Sequence, residues 1–312
     1  MKRAFTLLEL VVVIVVLGII AMMSFNAIMN IYSNYFQTKT VNELETQTEI
    51  ALEQISKRLE HRIKPSVIAR KPSGGFLPLN DSRVNLNSGY EILEFIPYAY
   101  EIFNDVPSAS NKAGRYSGYV DLAKSSPTTG LISPGSNFST EVVETIKDLT
   151  CKDDASGCVD FKDKDGGVVA IFSDVYYDVQ NSFGYKGILN LDIAKVGVKG
   201  GQSGLNGNTL EISGFDGKQI SEQYHLAYTA NAIVPEQSAD PKDAANGVFD
   251  LNLYYDYRPW MGEKYKQNGE KATLAKNVTR FVFTEKNGVI VLKLCMRAKN
   301  SEITICKSKA VY

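Results

Sequence analysis

Met1-Lys2-Arg3-Ala4-Phe5-Thr6-Leu7-Leu8-Glu9-Leu10 opens an apolar run that continues to Met23 and carries a single charge, Glu9. Two basic residues followed by about twenty apolar ones describe a helix long enough to span a bilayer with its amino end in the cytoplasm. A carboxylate inside such a run is costly. An Asp at the centre of an inserted helix costs roughly 2.5–3.5 kcal/mol, and Glu resembles it. Glu9 therefore needs a partner charge. The nearest source would be a new amino terminus, created if the chain is cut between Ala4 and Phe5 and supplied by a neighbouring helix of the same kind.

The stretch from Lys2 to Leu10 resembles the prepilin leader and mature start shared by type IV pilins, type II secretion pseudopilins and competence pseudopilins. The resemblance implies that a prepilin peptidase cuts after the small residue Ala4 and methylates the amine of Phe5. It also implies that Glu9 guides docking into a growing assembly through the amine of another subunit. Ala4 departs from the usual Gly, Gly18 falls where many pilins carry a helix-softening Gly, and Asn26 replaces a frequent Pro. An ordinary secretory signal would be cut after its apolar core, where residues 21–27 offer only a poor site. A plain membrane anchor leaves Glu9 and the Ala4-Phe5 junction unexplained.

The helix continues beyond the membrane. Leu44, Thr48, Leu52, Ile55, Leu59 and Ile63 recur at spacings of three and four, with Glu45, Glu49, Glu53, Lys57 and Glu60 on other sides. One face is made to pack. Glu53 stands four residues before Lys57, a favourable pair, and Pro65 stops the helix after Ile63. A continuous helix of this extent is on the order of 90 Å long, so only its second half can seat a folded domain.

Residues 65–312 alternate short apolar stretches with Gly, Ser, Asn and Asp clusters, the pattern of one elaborated β-rich domain. Strands are expected at Tyr90 to Ile96, Val175 to Val179, Gly187 to Val198, Thr209 to Ile212, Tyr224 to Ala232 and Val248 to Tyr257. The Ser-, Gly- and Pro-rich stretch from Asn104 to Phe138 reads as an insertion over the surface. Ser139 is placed to cap a short helix to Leu149, with Phe138 stapled onto Val143.

The carboxyl end can be read in register. A two-residue turn at Asn287-Gly288 pairs Phe283 with Leu292, Phe281 with Leu294 and Thr279 with Met296. A second turn at Asn300-Ser301 pairs Met296 with Ile305 and Ala298 with Ile303, which keeps one face apolar and sets Cys295 opposite Cys306. Strict alternation would put Lys307 and Lys309 on the apolar face, so the last strand is expected to leave the core there.

The four cysteines, Cys151, Cys158, Cys295 and Cys306, suit near-neighbour pairing in an oxidising periplasm. A zinc site lacks the short knuckle spacing, and only His61 and His225 would assist it; free or exchanged cysteines are the remaining alternative. Some pseudopilins resembling this chain bind calcium in an acidic loop, and Asp153, Asp154, Asp160, Asp163 and Asp165 lie together. An EF-hand frame counted back from Gly166 puts Phe161 in the first ligand place and Phe172 in the closing one, so a solvated acidic loop fits better. No metal or other cofactor is expected. No phosphate loop, dinucleotide fingerprint, zinc-protease helix or serine elbow occurs, and the Gly-rich run 197–217 reads as a loop, so no catalytic set is assigned.

Net charge is −1, which points to no nucleic acid globally. Residues 271–312 nevertheless hold nine Lys or Arg against two Glu, and the hairpin register puts Arg280, Lys293 and Arg297 on the non-core face. Such a patch can touch DNA phosphates, although a solvated face or an acidic partner subunit is the commoner use. Tyr254 to Trp260 is the densest aromatic stretch, fit either for strand packing or for a partner contact.

The expected fold is α+β and pilin-like, a long amino-terminal helix packed on an elaborated antiparallel β-rich head. Residues 1–4 form the leader, 5–64 the helix (5–29 transmembrane, 30–64 amphipathic), and 65–312 the head, with an insertion around 104–150. The resemblance implies a single-pass subunit of the bacterial inner membrane, amino end cytoplasmic and head periplasmic. Its implied partners are the prepilin peptidase, other pilins or pseudopilins and an inner-membrane assembly platform.

Overall fold

The computed structural model describes residues 7–84, 89–103, 114–126, 129–152, 157–187, 191–199, 207–214, 219–299 and 301–312. Helix α1 runs unbroken from Leu7 to Glu60, about 80 Å. Its buried stripe is Leu44, Thr48, Ala51, Leu52, Ile55, Ser56 and Leu59. The buried hydroxyls of Thr48 and Ser56 donate to the carbonyls of Leu44 and Leu52, each at 2.7 Å, so neither is stranded in the core. The helix stops at Glu60, short of Ile63, because a helical Pro65 would collide with the carbonyl of His61. Lys64–Ser66 form a 3-10 turn instead. Glu53 does not pair with Lys57; it turns to Lys309 on the sheet.

Thirteen strands follow: β1 Ile68–Arg70, β2 Phe76–Pro78, β3 Ile92–Phe95, β4 Leu131–Ile132, β5 Val169–Phe172, β6 Ala194–Val198, β7 Thr209–Ser213, β8 Tyr224–Ala227, β9 Ala230–Gln237, β10 Phe249–Tyr257, β11 Glu270–Lys286, β12 Val289–Arg297 and β13 Thr304–Val311. Eight form one sheet, ordered β13-β12-β11-β10-β9-β3-β1-β2, and five form a second, ordered β4-β7-β6-β5-β8. All described pairings are antiparallel. One face of the large sheet receives the α1 stripe through Leu93, Ile233, Leu253, Phe281, Leu292 and Leu294. Its opposite face meets the small sheet through Ile68, Ala232, Val169, Ile171, Tyr257 and Trp260. Helix α2, Thr140–Thr150, packs Val142, Val143 and Ile146 into the small sheet's own core beside Phe138.

The carboxyl-terminal meander follows the turn chemistry. Asn287 and Gly288 take φ values of 54° and 80°, as a two-residue turn of this hand requires. Phe283 then faces Leu292 and Phe281 faces Leu294. Thr279 does not face Met296. A bulge at Thr279, between Val278 and Arg280, slips the register by one, so Val278 takes that place in the core. Beyond the second turn, whose Asn300 lies outside the described residues, Met296 faces Ile305 and the Ala298 amide donates to the Ile303 carbonyl at 2.9 Å. The last strand does not leave the core at Lys307. It stays paired to Val311, and both lysines reach glutamates on α1.

Other expectations need correction. The stretch Tyr224 to Ala232 is two strands in different sheets, broken at Tyr228 and Thr229, so one apolar run crosses between layers. Val175 to Val179 is not a strand; Asp178 caps the short helix Val179–Ser182 through the Gln180 amide. Within Gly187 to Val198 the strand is only Ala194–Val198, and residues 188–190 lie outside the described ones. Ser139 precedes α2 but makes no capping bond with its side chain. The stretch expected to lie over the surface supplies core where described, burying Tyr116, Val120, Leu131 and Phe138.

Between the sheets lies a polar pair. The carboxylate of Glu94, 1% exposed, accepts from Arg70 Nε at 2.7 Å and from the Tyr257 hydroxyl at 2.9 Å. Burial drives Glu94 above the usual carboxylate range against the pull of Arg70. Burial also works against the Arg70 charge, but Glu94 more than offsets it and leaves that guanidinium above its usual value. Nearby, Trp260 Nε1 donates to the Gly167 carbonyl at 2.9 Å. A Cβ at Gly184, whose φ is 84°, would lie 2.3 Å from the Pro259 carbonyl oxygen, so only glycine lets the chain pass so close.

Candidate functional site

Every residue of α1 from Leu7 to Lys39 is exposed, a projection of about 50 Å. This part of the helix is long and apolar enough to cross a membrane. Glu9 sits in its first turn and is exposed there. Ala4 and Phe5 lie outside the described residues. Tyr32, Tyr35 and Phe36 follow the apolar run as an exposed aromatic group.

The projection is fixed to the head by charge as well as by packing. Lys307 Nζ lies 2.6 Å from Glu49, which it holds below the usual carboxylate range chiefly through that hydrogen bond, and Lys309 pairs with Glu53. Beyond the helix end, Arg62 donates to the carbonyls of Leu59, Tyr312 and Gly288 at 2.8, 3.2 and 3.1 Å. Burial pulls its pKa down despite the nearby charge of Glu285. Sequence reading missed this junction. The signal was present as two lysines breaking the alternation of β13 and two glutamates beside the helix stripe.

Cys295 and Cys306 face each other across β12 and β13 and are bridged, with Cα atoms 4.0 Å apart. Cys151 and Cys158 are bridged likewise at 4.1 Å, just past α2. Arg280 stands directly opposite Cys295, Lys293 opposite Ser308, and Arg297 opposite Thr304. The three basic residues thus share one sheet face with the Cys295–Cys306 bridge, Arg280 and Lys293 exposed and Arg297 half-buried near Glu302.

In the acidic loop, Asp160 and Asp163 accept from the amides of Lys162 and Asp165, and Asp165 accepts from the Ser213 hydroxyl. Their carboxylates hold the turn together; Asp153 and Asp154 lie outside the described residues. The aromatic stretch is largely interior, with Tyr254, Tyr257 and Trp260 buried, and Arg258 clamped on Glu263.

A family model described as the prokaryotic N-terminal methylation motif matches residues 1–25. No curated protein and no solved structure matches the chain. The motif, the long amino-terminal helix and the β-rich head together fit a type IV pilin-like protein. The motif implies a structural subunit of the pilin and pseudopilin class, membrane-anchored through its apolar helix, processed by prepilin peptidase and assembled with other pilins.

Proposed function

We propose that the chain is a minor pilin or minor pseudopilin, cut between Ala4 and Phe5, inserted with its amino end in the cytoplasm and its head in the periplasm. It then enters a pilus, a type II secretion pseudopilus or a DNA-uptake pseudopilus through α1, at the tip or during initiation. The observation that carries this reading is the division of α1. An apolar half projects bare from Leu7 to Lys39, and a second half is locked into a head of two stacked sheets. The bare half suits lipid before assembly and neighbouring helices after it. A head this bulky packs poorly in a repeating shaft, which favours the tip. Two disulfides suit an oxidising compartment.

Glu9→Val tests the assembly role. The variant should still insert in the membrane, since it removes a costly charge, yet be missing from isolated filaments or pseudopili. Incorporation at the level of the unaltered chain contradicts the reading. Deletion followed by parallel assays of transformation, secretion and surface filaments assigns the machine.

A second reading, a tip subunit that binds DNA, a surface or a secreted substrate, is favoured by the shared face of Arg280, Lys293 and Arg297. Binding of DNA that weakens steeply with salt and is lost in the triple alanine variant supports it. Binding that ignores those residues rejects it.

A further inference from the structure

Where α1 crosses the large sheet it leaves part of β9, β10 and β11 uncovered, and a cleft of about 880 Å³ opens there. That volume lies in the range of small-ligand sites. Lys57, Arg58 and His61 line it from the end of the helix, and Tyr98, Tyr100 and Glu101 line it from the segment that packs against His61. The floor is apolar at Leu253 and Leu274 and polar at Asn231 and Thr273, with Tyr228, Thr229 and Asp256 at its inner end.

Three features of this cleft suit a ligand. Tyr100 stacks on His61 at 4.2 Å yet is 41% exposed, so its ring forms part of the open wall. Asp256 has φ 55°, strained for a non-glycine residue, at an irregularity where β9 and β10 lose register between Tyr254 and Tyr257. Its amide is held by the Thr229 hydroxyl at 3.0 Å, while its carboxylate accepts no hydrogen bond among the described residues. Glu101 Oε2 is buried without a hydrogen-bond partner among the described residues, while the Tyr100 and Tyr228 hydroxyls interact with the same carboxylate. Asp256 therefore offers an open acceptor, and Glu101 a partly satisfied one, beside an exposed aromatic face.

Charge selects the kind of ligand. Lys57 and Arg58 are balanced by Glu101 and Asp256, so the lining favours neither a net cation nor a net anion. A neutral molecule that carries many hydroxyls and one apolar face satisfies both sets of charges and the stacking ring. We propose that this cleft binds a neutral saccharide, with a sugar face on Tyr100 and hydroxyls donating to Asp256 and Glu101. Arg58 and Lys57 then donate to ring and hydroxyl oxygens. The proposal does not rest on the assembly role, because the cleft is built from head strands and the seated half of α1.

The test is calorimetric titration of the full chain, held in a detergent without a sugar headgroup, with neutral trisaccharides of glucose, mannose and N-acetylglucosamine. The glucosamine and galacturonate trimers serve as cationic and anionic counterparts. Concentrations up to about 10 mM reach affinities in the millimolar range. At least one neutral trimer should bind, and both charged trimers should bind at least about tenfold more weakly. Tyr100→Ala and Asp256→Asn should each weaken the neutral ligand by about tenfold, Tyr100→Phe should retain it, and Tyr119→Ala outside the cleft should have no effect. Absence of binding by every neutral trimer overturns the proposal. So does equal binding of a charged one, or indifference of the affinity to Tyr100→Ala and Asp256→Asn in variants shown by melting to be folded.

Discussion

Arg62, two residues past the end of the long helix, donates to the carbonyl of Tyr312, 250 positions away in sequence. The same guanidinium holds the Leu59 carbonyl at the helix end and the Gly288 carbonyl in the hairpin turn. One side chain thus ties the helix, the meander turn and the last strand together. Arg62→Met should lower unfolding stability by about 2–4 kcal/mol, since it removes several charge-assisted hydrogen bonds at a buried position. Denaturant unfolding of the variant checks this, and an unchanged midpoint would show that the three elements hold without it.

The pair between the sheets behaves differently. Arg70→Met strands the buried Glu94 and should cost about 3–5 kcal/mol. Replacing both residues, Arg70→Met with Glu94→Leu, should cost markedly less than the single change, because no uncompensated charge remains. A double change that is simply additive would contradict the account of this pair.

Asp256 makes stability depend on pH. Burial raises its carboxyl to about 6, above the value near 3.8 expected when unfolded. The folded state therefore holds the proton more tightly than the unfolded one. The cost of charging Asp256 is fully present above about pH 6 and is lifted as pH falls toward 4. Asp256→Asn should raise the melting temperature at pH 8 and leave it nearly unchanged at pH 4. A variant that parallels the unaltered chain across this window would show that Asp256 is not the titrating group.

The Cys295–Cys306 bridge closes a loop spanning 11 positions. Chain entropy limits its contribution to about 3 kcal/mol. Cys295→Ala with Cys306→Ala should lose about that much or less while leaving the meander paired, and peptide mapping of unreduced protein should recover Cys295 with Cys306 and Cys151 with Cys158. Crossed pairs would undo the register that sets Arg280 beside the bridge.

Much of the α1 seat was legible because its apolar residues repeat at the helical period and face one surface. The hairpin was legible because Asn287-Gly288 admits few alternatives. Departures arose where the fold spends a local irregularity on packing. The bulge at Thr279 brings Val278 inward, and no turn residue announces it. Lys307 and Lys309 broke the alternation visibly, but their answer, Glu49 and Glu53, lies across the sheet, and period alone does not report which charge meets which. The split of Tyr224 to Ala232 between two sheets was hidden because a buried apolar run reads alike in either layer. The cleft was hidden for a similar reason: His61, Tyr100 and Asp256 come from segments far apart in sequence, and no local pattern reports that they line one cavity.

The central claim is that the chain is made as a prepilin-type precursor and works from a processed amino terminus. Intact mass measurement of the protein purified from its native membrane tests it most directly. The account predicts a mature chain that begins at Phe5 and carries one methyl group on its amine. A chain that keeps Met1, or one that begins beyond Met23, would contradict it.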